Sequence, residues 1–314
     1  MVLNLKQQLE GGLKIAREIP SFNPGNYSRI VFCGIGGSIM PAEAITMLWL
    51  DNINCYINHA SYLPQWVRGS DYLVICVSWS GNTEETISAY ENAKKCGADI
   101  AVVTSRGGRL AELAKRDNTP LALLPNHGLA PRNALPSMLS TLLTLLSHSD
   151  TIEASLNSSI FTEDSQRQEI VGEITESISG KTPLIYSSFP WRFLGDFWKK
   201  FLNENCKIHA FYNFMPEAGH NEIAGIKRED PQFFYLLLKD TEEEKDDFFR
   251  LNKLEKLLSN YNASYFVSEI KGDNRFEKII NQYILASLTS KALAEKLGIN
   301  PDDISIIEDF KKLS

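Results

Sequence analysis

Residues 72–93 read YLVICVSWSGNTEETISAYENA, and the fold follows from how this stretch divides. Its first part is an apolar run rich in β-branched residues and closed by serines and a glycine, the composition of a buried strand. Its second part opens on Thr83, carries Glu84 and Glu85 where a first helical turn would lie, and then repeats apolar residues at helical spacing. A buried strand that runs through a tight turn into a helix is the repeating unit of a parallel sheet covered by helices.

The unit recurs on both sides. Strands are predicted over 30–33, 54–59, 72–78, 99–104 and 121–124, with helices over 41–50, 83–95, 109–116 and 132–147. Residues 151–168 are rich in Ser, Thr, Asp and Glu with few apolar anchors and read as a connection. A second alternation follows, with strands over 184–186, 207–212, 233–238 and 264–268 and helices over 190–203, 243–259 and 275–297. The expectation is an α/β protein of two domains, 1–150 with a leading helix and 151–314, whose architecture repeats although the two halves are not visibly alike in sequence.

The composition agrees. A chain of 314 residues, 43% apolar and 23% charged, has material for two ordinary domains. A net charge of -7 with no Lys/Arg cluster offers no face for a nucleic-acid backbone or an anionic membrane. No window approaches the roughly 20 consecutive apolar residues of a membrane span, and the opening residues lack the apolar core of a secretory signal, so a soluble cytoplasmic protein is expected. Cys33, Cys55, Cys76, Cys96 and Cys206 form no CxxC pair and read as reduced, buried thiols; the five histidines lack metal-ligand spacing, so no metal site is expected.

Two Gly- and hydroxyl-rich turns carry the first chemistry. In IVFCGIGGSIMPAEAI, Gly34, Gly36, Gly37 and Ser38 lie between a strand and a helix, where glycines let backbone amides approach an anion at a helix N-terminus. A dinucleotide fingerprint would need glycine where Ile39 stands and an acidic residue where His59 and Ala60 stand, so the nucleotide reading loses ground. In the second turn Ser78, Ser80 and Thr83 converge at one helix start, the donor set a phosphomonoester dianion needs. An ordinary cap, by Asn82 or Thr83, requires a single such residue.

These two motifs together resemble the phosphosugar-binding core of the sugar-isomerase (SIS) domain. With LAPRNALPSM, NEN and PEAGHNEIAG, the chain more closely resembles the archaeal and bacterial bifunctional phosphoglucose/phosphomannose isomerases. It implies two SIS domains, a homodimer with the active site shared between subunits, and cofactor-free isomerisation of a sugar phosphate through an enediol. It also associates Gly36, Gly37, Ser38, Ser78, Ser80 and Thr83 with the 6-phosphate.

Isomerisation further needs a base for the C2 and C1 protons, a group that opens the ring and a positive charge for the enediolate. Glu204 ends the helix WRFLGDFWKKFLNEN, where a carboxylate opposes the helix dipole; position alone favours a solvated helix-end Glu, and it is the resemblance at NEN that implies the general base, with Glu217 and Glu222 as rival carboxylates. His220 lies in a Gly-containing loop, and the resemblance implies that it opens the ring. Arg132 follows Pro131 at a helix start, where a cation is unfavourable unless an anion compensates, and the resemblance gives it the enediolate. By the same resemblance Lys311 is the ring-oxygen lysine, with Lys312 an equal candidate, and Ser305 is a candidate for the small residue that admits the mannose epimer. The competing functions are a non-catalytic sugar-phosphate sensor, which would dispense with Glu204, His220 and Arg132, and a glucosamine-6-phosphate-type isomerase.

Overall fold

The computed structural model describes residues 5–49, 53–105, 107–162, 164–228, 231–242 and 245–313. The chain divides into two compact units, Met1–Phe161 and Thr162–Ser314. The division falls inside the polar stretch 151–168, eleven residues beyond the expected 150/151 boundary. Part of that stretch is helical because Ile152 and Ile160 are buried and anchor it.

The first unit runs α1 (Leu5–Ala16), β1 (Arg29–Cys33), α2 (Met40–Trp49), β2 (Cys55–Asn58), β3 (Tyr72–Ser78), α3 (Glu84–Cys96), β4 (Asp99–Thr104), α4 (Gly108–Arg116), β5 (Leu121–Leu123), α5 (Leu135–Leu145) and α6 (Ser149–Ser155). The predicted end of α2 at Leu50 lies outside the described residues. All five strands are parallel, in the order β2-β1-β3-β4-β5. Alternate residues of each strand serve opposite faces. Val31, Cys33, Val74, Cys76 and Val102 meet Ile87, Tyr90 and Ala93 of α3 and Leu110 and Ala114 of α4. Every residue of α5 is buried, which explains why LPSMLSTLLTL shows no polar face.

The second unit runs α7 (Ser165–Ile178), β6 (Thr182–Ser188), α8 (Arg192–Cys206), β7 (Phe211–Met215), β8 (Phe233–Lys239), α9 (Lys245–Asn260), β9 (Tyr265–Glu269), α10 (Arg275–Lys296) and α11 (Ser305–Lys312). The predicted start of α9 at Glu243 lies outside the described residues. Its parallel sheet has the order β7-β6-β8-β9. Tyr186, Tyr235 and Leu237 face Leu251, Leu254 and Leu258 of α9.

Two expectations are corrected here. The strand predicted over 207–212 lies at Phe211–Met215, because α8 continues through Glu204 to Cys206, Lys207 turns left-handed at φ 57° to end it, and the amide of Ala210 is taken by Asn203 Oδ1 at 3.0 Å. The cysteines are all free, but only Cys33, Cys76 and Cys206 are buried; Cys55 and Cys96 are partly exposed. Among the described residues no helix is long and apolar enough to cross a membrane.

Candidate active site

β3 delivers Ser78 to the carboxyl edge of the first sheet, and Gly81, at φ 71°, turns the chain toward α3. A side chain at Gly81 is excluded, since a Cβ would stand 2.0 Å from the carbonyl oxygen of Gly107. Ser78 Oγ and Thr83 Oγ1 are 2.9 Å apart, the Gly81 amide donates to Ser78 Oγ at 3.2 Å, and the Asn82 amide donates to Ser80 Oγ at 3.2 Å. Thr83 holds the N-cap position of α3 in extended backbone, yet its hydroxyl makes no capping bond. Asn82 does not cap α3 either, because its Oδ1 accepts from the amide of Arg109 at the start of α4, at 3.0 Å. Neither candidate cap therefore closes the positive end of α3 with its side chain, and that end faces the clustered hydroxyls.

The GIGGS turn is tied to this loop. Gly36 sits at φ 60°, Gly36–Ser38 form a 3-10 turn, and Ser38 Oγ accepts from the Trp79 amide at 3.0 Å. Gly37 touches a third segment: a Cβ there would lie 2.5 Å from the amide nitrogen of Arg132 and 2.8 Å from the carbonyl carbon of Pro131. The turn Pro131–Ala134 thus rests directly on the GIGGS backbone. Arg132 within it is 0% exposed. A guanidinium stays charged on burial and needs polar company. Seven predicted residues, Gly36, Gly37, Ser38, Ser78, Ser80, Thr83 and Arg132, are therefore drawn to one edge of one unit. The sequence reading missed Trp79, whose amide, carbonyl and indole bind three different loops; its local signal was only that it stands between two serines.

In the second unit Glu204 lies half-buried in the last turn of α8. Its neighbours are anchored on both sides: Asn203 Oδ1 holds the Ala210 amide, and Asn205 Nδ2 donates to Ser290 Oγ of α10 at 2.7 Å. The ammonium of Lys207 donates to the Glu204 carbonyl. In the chain β7 lies between Glu204 and His220, which is exposed at the end of the 3-10 turn Glu217–His220, anchored by buried Ala218, and borders a cavity of about 280 Å³ together with Arg250 and Lys253.

The rival carboxylates differ. Glu222 accepts from the Tyr186 hydroxyl at 2.8 Å and from Asn213 Nδ2 at 2.6 Å, one partner on each oxygen. Burial first, and then Glu222, drive the Tyr186 hydroxyl far above the usual tyrosine range, so the phenol stays protonated and donates to Glu222. Glu217 is exposed and accepts from Asn221 Nδ2 at 3.0 Å. Lys311 and Lys312 are both exposed on α11, paired with Glu308 at 2.8 Å and Asp309 at 3.4 Å, so the geometry does not choose between them. Ser305, at the exposed start of α11, donates its amide to Asp303 Oδ1 at 2.9 Å.

Two successive units of parallel sheet and flanking helices, the first with a hydroxyl-lined turn at an open helix start, define the class of SIS phosphosugar isomerases. Across 96% of this chain the fold is similar to the C-terminal domain of glucosamine-fructose-6-phosphate aminotransferase from Francisella tularensis, with a TM-score of 0.71, 97% of that chain covered and 14% identity. Residues 167–313 match the bacterial phospho-glucose isomerase C-terminal SIS domain. Two bifunctional phosphoglucose/phosphomannose isomerases are similar over most of their length: that of Aquifex aeolicus at 32% identity over 91% of this chain and 90% of its own, and that of Thermoplasma acidophilum at 31% over 93% and 91%. The chain belongs to the bifunctional phosphoglucose/phosphomannose isomerase family.

Proposed function

We infer that this protein interconverts glucose 6-phosphate and mannose 6-phosphate with fructose 6-phosphate, in the cytoplasm, with no cofactor. The observation that carries the reading is the Ser78–Thr83 hydroxyl pair at the side-chain-uncapped start of α3, tied to Ser38 and resting against the turn of Arg132. Ser38, Ser78, Ser80 and Thr83, with the amides of Gly36 and Gly37, hold the phosphate. His220 moves a proton onto the ring oxygen and takes one from O1, which opens the ring. Glu204 then removes the C2 proton, the O2 proton passes to O1 by way of the enediol, and Glu204 returns its proton to C1. Arg132 offsets the negative charge that develops on the enediolate oxygens, an interaction made in the transition state and not in the ground state. Glucose 6-phosphate and mannose 6-phosphate differ only at C2, so both give one enediol.

We further propose a homodimer in which His220 of one copy serves the site that uses Glu204 of the other. Glu204→Gln and His220→Ala chains should each keep no more than a few per cent of wild-type turnover. Unfolded and refolded as an equal mixture, they should recover about a quarter of wild-type activity, because random pairing makes about half the dimers hybrid and each hybrid has one intact site. Recovery that never exceeds the parents, with hybrids verified by mass, would place both residues in a site within one chain. Full activity of Glu204→Gln alone would remove Glu204 as the base.

A further inference from the structure

Trp79 stands between the two serines of the phosphate loop, but its own groups point to other segments. Its amide donates to Ser38 Oγ at 3.0 Å, and its carbonyl accepts from Ser105 Oγ at 2.9 Å and from the Ser105 amide at 3.2 Å. Its indole Nε1 donates to the carbonyl of Leu129 at 2.8 Å. Trp79 is 2% exposed and Leu129 partly exposed, so that last bond is part-buried.

Leu129 is three residues from Arg132, and the intervening pair is Ala130 and Pro131. Pro131 opens the turn with φ fixed by its ring, so a pinned Leu129 carbonyl sets where the turn begins. Gly37 bears on the other side of the same turn, against the Arg132 amide. Two contacts on the Arg132 turn thus originate in the phosphate-binding loops.

We propose that Trp79 is a positioning residue for catalysis, with the bond from its indole N–H to the Leu129 carbonyl holding the Arg132 turn in register with the phosphate loop. This rests on the reading of Arg132 as the enediolate partner. Its consequence is a division of effects. The phosphate contacts belong to Ser38, Ser78, Ser80 and Thr83 and do not need the indole N–H, whereas transition-state stabilisation by Arg132 does.

The test replaces Trp79 by Phe and, separately, by β-(3-benzothienyl)alanine, which keeps the bicyclic shape and removes only the N–H; the second variant answers the question if Trp79→Phe does not fold. Both should lower kcat about tenfold, since small misplacements of catalytic groups cost this much or more. KM, and the Kd for inorganic phosphate, should stay within about twofold of wild type. In an Arg132→Gln background, or Arg132→Lys if the former does not fold, the benzothienyl substitution should cost less than about twofold, because the positioned group is gone. The proposal is overturned if kcat is unchanged, if phosphate affinity falls while kcat holds, or if the tenfold loss persists without Arg132. Full kcat in both Arg132 variants would instead overturn the reading of Arg132, and the positioning role with it.

Discussion

Four strands follow the same order in the two sheets, β2-β1-β3-β4 in the first, which adds β5, and β7-β6-β8-β9 in the second, but the carboxyl edges are finished in opposite ways. After β1 and β3 the chain presents GIGGS and SWSGNT, and hydroxyls gather at a helix start that no side chain caps. After β6 and β8, the equivalent strands, it presents SSFPW and KDTEEE. There Ser187 Oγ donates to the Trp191 carbonyl at 3.1 Å, and Lys239 pairs with Glu255 at 2.6 Å. Lys278 reaches from α10 to both oxygens of Asp240, at 2.9 and 3.0 Å, and to Glu242 at 2.7 Å. At the second edge Lys239 and Lys278 are paired with the protein's own carboxylates and Ser187 with a backbone carbonyl, whereas at the first edge hydroxyls cluster at the start of α3. Topology supplies the place for a site, and side chains decide whether the place is open.

The largest effect should come from unlocking the closed edge. Lys278→Met leaves the Asp240 carboxylate, 4% exposed, without its ammonium, and breaking a buried pair in this way costs about 3 kcal/mol of stability by denaturant titration at neutral pH. Burial opposes the charge on Lys278, but hydrogen bonds to Glu242 and Asp240 outweigh it and hold the ammonium above the usual lysine range. A raised folded-state value stabilises the native protein below the unfolded lysine value of about 10.4 and ceases to do so as pH rises through the raised value. The gap between wild type and variant should therefore persist to about pH 10 and narrow beyond it. Turnover of the folded variant should change by less than about twofold; a hundredfold loss would mean that the second edge is itself a functional site, and the comparison would break.

Gly37→Ala attacks the open edge, where a Cβ must displace the Arg132 turn whose amide nitrogen would lie 2.5 Å away. kcat/KM should fall about hundredfold in a coupled isomerase assay. Wild-type kinetics in this variant would mean that contact between GIGGS and the turn is incidental. The smallest effect sharpens the comparison at a single hydroxyl. Thr83→Val keeps the N-cap backbone and removes the group 2.9 Å from Ser78 Oγ, so KM should rise about tenfold with kcat within about twofold of wild type. A fall in kcat with KM intact would take Thr83 out of the phosphate site.

What the sequence determined by itself was written in local patterns. Apolar runs followed by helical spacing declared two parallel sheets, and the clustering of Ser78, Ser80, Thr83 and the GIGGS turn carries the phosphate site proposed above, because each signal fits within a few residues. Even so, α7 went unread: its start fell inside the stretch 151–168 read as a connection, and no element was assigned to the residues after it although Val171, Ile174 and Ile178 repeat at helical spacing. Only the tertiary structure decided the rest. The strand after α8 shifted because Asn203 takes the Ala210 amide, and Glu222 is bonded by Tyr186, 36 residues away. Trp79 bonds Leu129 across 50 residues, and Lys278 closes the second edge across 38. Such pairings have no period along the chain; they exist because folding brings a donor and an acceptor together out of water, where leaving either one alone costs more than the bond returns in solution.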